Sequence, residues 1–380
     1  RRQRQMCIRD RNIIIVRDMR IVAFFSAIAV IILLLAGCGH EKSNNSQVVN
    51  LVQLGGVEYP EIPKSNIIQL EKSDFPKGEI RSIERIPIDL EIELREVNIL
   101  AKGNYLIVKH LEWREGAYLL HVLSLPDYKT VAQLAPFGEG PDEFNDIRMI
   151  PTEETDKLCY VWNIRNNRIF SLSTTLKLEE YDQLAEIPEN KIVPDKPLYM
   201  GDGKMQVSLG SNDGMGIGLV SLNDTIVKGT VPFLFAEGAG WFFYIGNLAH
   251  SFSRKREAFA FTFHDRIVFF DFDGNHVKMC RFGDKTLQTT SSLDNPLYYY
   301  SCFASDKYVY AVYRESKKDT DETNPLYLEQ FDWDGNPVAR YSLPKGRGLY
   351  TGCATEDNSI IYMVDYYEDN FLHKIVLSKD

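Results

Sequence analysis

The sequence predicts an all-β chain folded as a six-bladed β-propeller of four-stranded antiparallel blades, its ring closed by an N-terminal strand. Three observations predict it. Aromatic residues make up 12% of the 380 residues, with 20 Tyr and 21 Phe, a bias toward pleated structure. One short apolar strand recurs six times near a fixed period. A hairpin turn keeps step with it, and no amphipathic helix of useful length interrupts the series.

The recurring strand reads YLIVKH at Tyr105–His110, LCYVWN at Leu158–Asn163 and KMQVSL at Lys204–Leu209. It returns as AFAFTF at Ala258–Phe263, YVYAVY at Tyr308–Tyr313 and SIIYMV at Ser359–Val364. Anchored on Tyr105, Cys159, Met205, Phe259, Val309 and Ile360, the copies lie 54, 46, 54, 50 and 51 residues apart. The hairpin turns fall at Pro126-Asp127, Thr174-Thr175, Asn223-Asp224, Asp273-Gly274 and Asp334-Gly335. Asp-Gly is the strongest of these signals, because both central positions of a tight hairpin turn favour positive φ. A polar insertion, Glu315–Pro325, lengthens the fifth unit. Four strands per period describe a propeller blade, which a β-sandwich pair or a solenoid would not reproduce so regularly.

The sixth unit is short. After Ser359–Val364 only Phe371–Leu377 remains, while Ile80–Leu90 near the other end has no hairpin partner of its own. An N-terminal strand is therefore expected to supply the missing edge of the last blade, which removes an exposed sheet edge.

Ahead of the propeller the chain carries an address. Met19-Arg20 precedes an apolar run, Ile21–Leu35, interrupted only by Ser26. That length suits a signal-peptide core rather than a membrane span. Leu35-Ala36-Gly37-Cys38 closes the run as a lipobox, so Cys38 is the expected lipidated residue, anchoring the chain to a membrane. The expected organisation is an upstream segment at 1–18, with Met6 as an alternative start, and a lipoprotein signal peptide at 19–37. A flexible polar tether at 38–65 and the propeller at 66–380 follow. The first 37 residues hold seven Arg and two Asp, so the balance from Cys38 onward is 36 basic against 51 acidic residues. An excess of negative charge argues against nucleic acid as a partner.

At this point the sequence resembles the TolB-like six-bladed β-propeller lipoproteins of bacterial cell envelopes. Phe137–Phe144 (FGEGPDEF) is similar to that family's Gly-x-Gly-Pro-x-Glu-Phe loop between early blades. Phe331–Val338 (FDWDGNPV) resembles its aromatic-Asp-Gly-Asn hairpin, and Tyr308–Tyr313 its Tyr-x-Tyr-Ala strand. The resemblance implies the fold and an envelope lipoprotein, with the outer membrane as the expected location. It implies no defined activity.

Catalytic and metal motifs were sought against this frame. DFDGN at Asp271–Asn275 and DWDGN at Asp332–Asn336 place Gly fourth rather than sixth, so they read as tight turns and not calcium loops. Seven His are scattered without paired spacing, and no metal or cofactor site is expected. Gly214, Gly216 and Gly218 alternate with no helix to follow, which reads as a flexible hairpin loop. Gly138, Gly140 and Pro141 shape an interblade turn packed by Phe144, with Asp142 and Glu143 as weaker ligand candidates. Cys302 and Cys353 each precede a turn Asp by four residues. Equivalent places on adjacent inner strands leave two options open, a disulfide or two buried thiols.

The inner strands are expected at 97–101, 147–151, 197–201, 248–252, 301–304 and 352–355. They offer Asn98, Arg148, Tyr199 and His250 but no acidic residue, which favours a binding module over the alternative, a lactonase- or esterase-like hydrolase. Second-to-third-strand loops and interblade loops share one face of a propeller, and loops on a rigid scaffold collect binding residues. The candidate binding face is therefore Trp113, Arg148, Arg165, His250, Trp241 and Tyr366, with an envelope protein, peptide or glycan as the expected partner.

Overall fold

A strand packed on both faces reads as a continuous apolar run, and the six recurring segments are such runs. In the computed structural model each is the second strand of an antiparallel blade. Described are residues 51–380 except 55–56, 89, 91–96, 111–113, 115, 184–196, 212–213, 222–225, 234–243, 276, 284–296, 317–323, 345–347, 366–367, 369 and 379–380. Cys38, Trp113, Trp241 and Tyr366 lie outside the described residues.

Four strands precede the first complete blade: β1 (Leu51–Leu54), β2 (Val57–Pro60), β3 (Ile67–Leu70) and β4 (Ile80–Pro87). Blade 1 holds β5 (Asn98–Lys102), β6 (Tyr105–Lys109), β7 (Tyr118–Ser124) and β8 (Thr130–Pro136). Blade 2 holds β9 (Ile147–Pro151), β10 (Lys157–Asn163), β11 (Arg168–Ser173) and β12 (Leu178–Gln183). Blade 3 holds β13 (Leu198–Gly201), β14 (Lys204–Ser211), β15 (Gly214–Ser221) and β16 (Ile226–Phe233). Blade 4 is β17 (Gly246–Ser251), β18 (Arg256–Phe261), β19 (Arg266–Asp271) and β20 (Lys278–Phe282). Blade 5 is β21 (Leu297–Ala304), β22 (Tyr308–Ser316), β23 (Tyr327–Asp332) and β24 (Pro337–Ser342). Blade 6 takes β25 (Leu349–Ala354), β26 (Ile360–Asp365) and β27 (Phe371–Leu377) from the C-terminus, and β4 as its outer strand.

The protein is thus a six-bladed β-propeller. β27 pairs with β4 antiparallel from Phe371 opposite Pro87 to Leu377 opposite Ile80, the closure expected from the sequence. The apolar core is divided into six wedges, one between each pair of adjacent blades. Leu106, Ile107 and Val108 of β6 are fully buried because blade 1 is covered on both faces. Outer strands relax to polar sequence, as in β12 (LEEYDQ). Among the described residues no helix is long and apolar enough to cross a membrane.

The segment before blade 1 winds around the outside of four blades. β1 and β2 form a hairpin whose Tyr59 is buried against blade 3. The approach needs glycine: a Cβ on Gly216 would lie 2.5 Å from the Tyr59 ring, and one on Gly229 2.4 Å from the Glu58 carbonyl. β1 and β2 thus fall within the stretch read as tether, and Gly214–Ser221 is a strand of blade 3 rather than a flexible loop. Of the alternating glycines, Gly216 serves this close packing, while Gly218 makes room for Leu209 within blade 3.

β3 then adds to blade 4 as a fifth strand, parallel to β20. Phe75 enters the wedge between blades 4 and 5, against Phe282 and Phe331. Lys77 bridges to Arg340 on the outer strand of blade 5, and β4 reaches blade 6. Midway along this strap Lys72 is driven into a cage. Its Nζ sits 3.6 Å and 3.7 Å from the ring centroids of Tyr313 and Phe282, 2.9 Å from Asp265 and 3.1 Å from Glu329. Arg340 engages the other Glu329 oxygen at 3.2 Å. Burial raises the Glu329 carboxyl above its usual range, and the two cations oppose that rise.

Candidate functional site

The two ends of the ring differ in construction. On one face every turn is short; the longest joins β19 to β20 across 272–277. The opposite face carries the long connections, at 110–117, 137–146, 184–197, 234–245, 283–296 and 317–326. This second face is called the loop face.

Arg148 and Arg165 are brought together there. Arg148 donates to the Asp146 carboxylate at 2.5 Å, and Asp146 accepts the Ile164 N–H through its carbonyl at 3.1 Å. Arg165, one residue on, lies 3.5 Å from Glu139 of the FGEGPDEF loop. That loop is pinned internally: the Glu143 carboxylate accepts the Gly140 N–H at 2.7 Å, and Phe144 packs against Phe170 with ring centroids 4.9 Å apart. Glu143 is thus a turn-former, in the turn that Gly138, Gly140 and Pro141 were expected to shape, and Phe144 packs it.

His250 is the exception. Gly246 pairs with Phe261 at the loop-face end of β17, whereas His250 pairs with Glu257 near the other end, beside the short turn at 252–255. The expectation that His250 joins the loop face is corrected; the strand runs from one face to the other, and His250 comes near its close. It lines an axial cavity of about 100 Å³ with Asn98, Met149, Leu248, Phe303 and Cys353.

Behind His250 stands a residue that sequence reasoning missed. Glu257 is fully buried on β18, one strand outward of the axis, where the search of inner strands for carboxylates did not reach. Neither carboxyl oxygen has a hydrogen bond of ordinary geometry. Burial pushes the carboxyl well above its usual range, which the buried amide of Gln206, in blade 3, only partly opposes. The available signal was one Glu inside an otherwise apolar strand, REAFAF.

The sign of this effect is testable. A carboxyl held neutral in the fold and ionised in the unfolded chain makes stability fall as pH rises above about 4.5. Glu257→Gln should therefore stabilise the protein at pH 8, by roughly 1–3 kcal/mol, and flatten the loss between pH 5 and 8. Denaturant melts at both pH values check it.

A buried histidine pair gives the opposite dependence. His110 and His121, beside the long connection 110–117, place their Nε2 atoms 2.9 Å apart, and Gln133 lies 3.4 Å from His121 Nδ1. Burial and each other's presence lower His110 to about 4, and burial lowers His121. Both are neutral at pH 7. As pH falls from 6.5 toward 4 the unfolded chain takes up protons that the fold refuses, so stability drops. His110 alone accounts for on the order of 3 kcal/mol. His110→Gln should flatten that acid limb in melts run from pH 7 to 4.

The DGN turns are closed by their own hydrogen bonds. Asp271 Oδ1 accepts the N–H groups of Asp273 and Asn275 at 3.1 and 2.7 Å, and Asp332 repeats this for Asp334 and Asn336 at 3.0 and 2.8 Å. Gly274 and Gly335 take the positive φ such turns require. The described cysteines, Cys159, Cys280, Cys302 and Cys353, are all buried thiols. Cys302 packs in the wedge between blades 4 and 5, Cys353 in that between blades 6 and 1. Phe303, which faces blade 6, is the true counterpart of Cys353. A one-residue offset turns a strand side chain to the other face, so the two thiols diverge.

A second grouping unseen in the sequence lies where β26 leaves for the loop face. Asp365, Glu368 and His373 bring one ligand atom each to within 4.8 Å of one another. His373 Nε2 is 3.3 Å from Glu368 Oε2 and 3.9 Å from Asp365 Oδ2.

No protein-family model matches the chain, and no curated protein matches it. Solved structures do resemble it. A member of the DUF4221 family from Bacteroides vulgatus superposes with a TM-score of 0.57 at 11% identity, covering 81% of this chain and 99% of that one. A protein of Bacteroides fragilis described as exported gives 0.50 at 12% identity, covering 82% and 100%. At such identities the likeness speaks to the fold alone.

Proposed function

We propose that this protein is a TolB-like cell-envelope lipoprotein, anchored through Cys38 to the outer membrane, whose propeller docks an envelope protein, peptide or glycan on its loop face. The observation that carries the reading is the asymmetry of the ring: the long connections open on one face, around Arg148 and Arg165, over a scaffold that is otherwise tight turns. The lipobox at Leu35–Cys38 and the described export of the Bacteroides fragilis neighbour support an extracytoplasmic setting.

Crosslinking from the native envelope tests it. Alanine at Arg148, Arg165, Trp113, Trp241 and Tyr366 should abolish capture of the partner without lowering the melting temperature. Retained capture, with loss on substituting the short-turn face instead, would overturn the assignment. Cys38→Ala should lose its detergent-phase partition; a variant that stays membrane-bound with unchanged mobility would overturn the anchor.

A second reading, a hydrolase acting on lactones or esters, is favoured by Glu257 alone, a buried carboxyl paired across the strand with His250 at the axial cavity. Turnover by the purified protein that disappears in Glu257→Gln would establish it.

A further inference from the structure

We infer that Asp365, Glu368 and His373 form a binding site for a divalent first-row transition-metal cation on the loop face of blade 6. The site is built by the fold: Asp365 ends β26, His373 lies on β27, and Glu368 stands in the connection between them. The Asp365 and His373 side chains are 0% and 4% exposed, and Glu368 opens to solvent at 21%.

The spacing of this ion-paired cluster also suits a shared ion. A hydrogen-bonded imidazole and carboxylate meet near 2.8 Å, whereas the two gaps here are 3.3 and 3.9 Å. Donors at about 2.1 Å from a common ion lie roughly 3–4 Å from one another. These separations are those of ligands around an ion. Each carboxylate also has a further contact. Asp365 Oδ1 accepts the Gly348 N–H at 3.0 Å, while Oδ2 is the oxygen nearer His373. Arg85 of β4 donates to Glu368 Oε2, the same oxygen that faces His373, at 2.8 Å and lies 3.4 Å over the Phe371 ring. Outer contacts of this kind orient ligands and tune a metal site.

Donor chemistry sets the class of ion. One imidazole and two carboxylates suit zinc, manganese or ferrous iron; calcium takes six to eight oxygens and would find too few. Three protein ligands leave further positions for water, or for a carboxylate or imidazole from a docked partner. The site shares the face of the proposed docking surface but needs no partner to exist.

The test uses the full chain in detergent, stripped with chelator and dialysed against zinc, manganese or calcium. The wild type should retain about one zinc or manganese per chain, melt several degrees higher with it, and ignore calcium. Glu368→Gln, at the partly exposed ligand, should weaken retention at least 10-fold while its metal-free melting temperature and circular dichroism stay those of the wild type. Asp365→Asn should do the same where it folds. No retention by the wild type, or undiminished retention by Glu368→Gln, would overturn the site. Because no partner is present, failure of the docking face leaves this result unaffected.

Discussion

Lys72→Ala is expected to lower the stability of the propeller by about 3–5 kcal/mol, the cost of leaving buried charge without its counter-ion. Glu329 is fully buried and Asp265 nearly so, and Lys72 lies within 3.1 Å of both. Removing it leaves Glu329 with Arg340 and the Tyr299 hydroxyl, and opens the space between Phe282 and Tyr313. Part of the loss should return in the double variant Lys72→Met with Glu329→Gln, which removes the stranded carboxylate and refills the cage with an apolar chain. Guanidinium melts of the wild type, Lys72→Met, Glu329→Gln and the double variant close the cycle. Coupling below about 0.5 kcal/mol would mean that the cage does not anchor the strap.

Removing the chain through Pro87 should have a larger effect still, aggregation through an opened sheet edge. β27 would then present an unpaired edge from Phe371 to Leu377, and the apolar wedge between blades 6 and 1 would lose Ile86. Open edges of this kind pair with other chains. Size-exclusion chromatography in detergent should show aggregate ahead of the elution position of the full chain. In the full chain Ile86→Asp, which buries an unpaired charge in that wedge, should cost about 3–5 kcal/mol. A truncated chain that does not aggregate and keeps an unchanged melting temperature would show that blade 6 stands on three strands.

Ring architecture was legible because each blade repeats a local pattern. The six apolar runs are the six second strands, and Asp273-Gly274 and Asp334-Gly335 sit in the turns expected of them. The closing strand was legible for a related reason, an edge left over at each end of the series. The outer strap was not, since Tyr59, Lys72 and Phe75 find their partners in blades 3 to 5, far along the chain, and carry no period of their own. The site residues divide in the same way. Arg148 and Arg165 could be placed on one face from strand order, whereas His250 needed its position along the strand as well as the strand's identity. Glu257 escaped a search confined to the axis. The Asp365–Glu368–His373 group has no motif spacing, and its orienting Arg85 arrives from the far end of the sequence.

Closure by β4 also dictates when the molecule can finish folding. The ion pair between Glu84 and Lys374 spans 290 positions, so β4 can take up its place only after nearly all of the chain has been delivered. Contacts that distant carry a large loop-closure cost, and proteins dominated by them fold slowly. During synthesis or transport the strap emerges ahead of every surface it will cover: first blade 3, then 4, 5 and 6. Intermediate lengths must therefore survive with one sheet edge open at each end of the growing arc. The last few residues, Phe371–Leu377, convert that arc into a ring, and a chain cut short before them should be recognised as unfinished by proteases, however well its first five blades are formed.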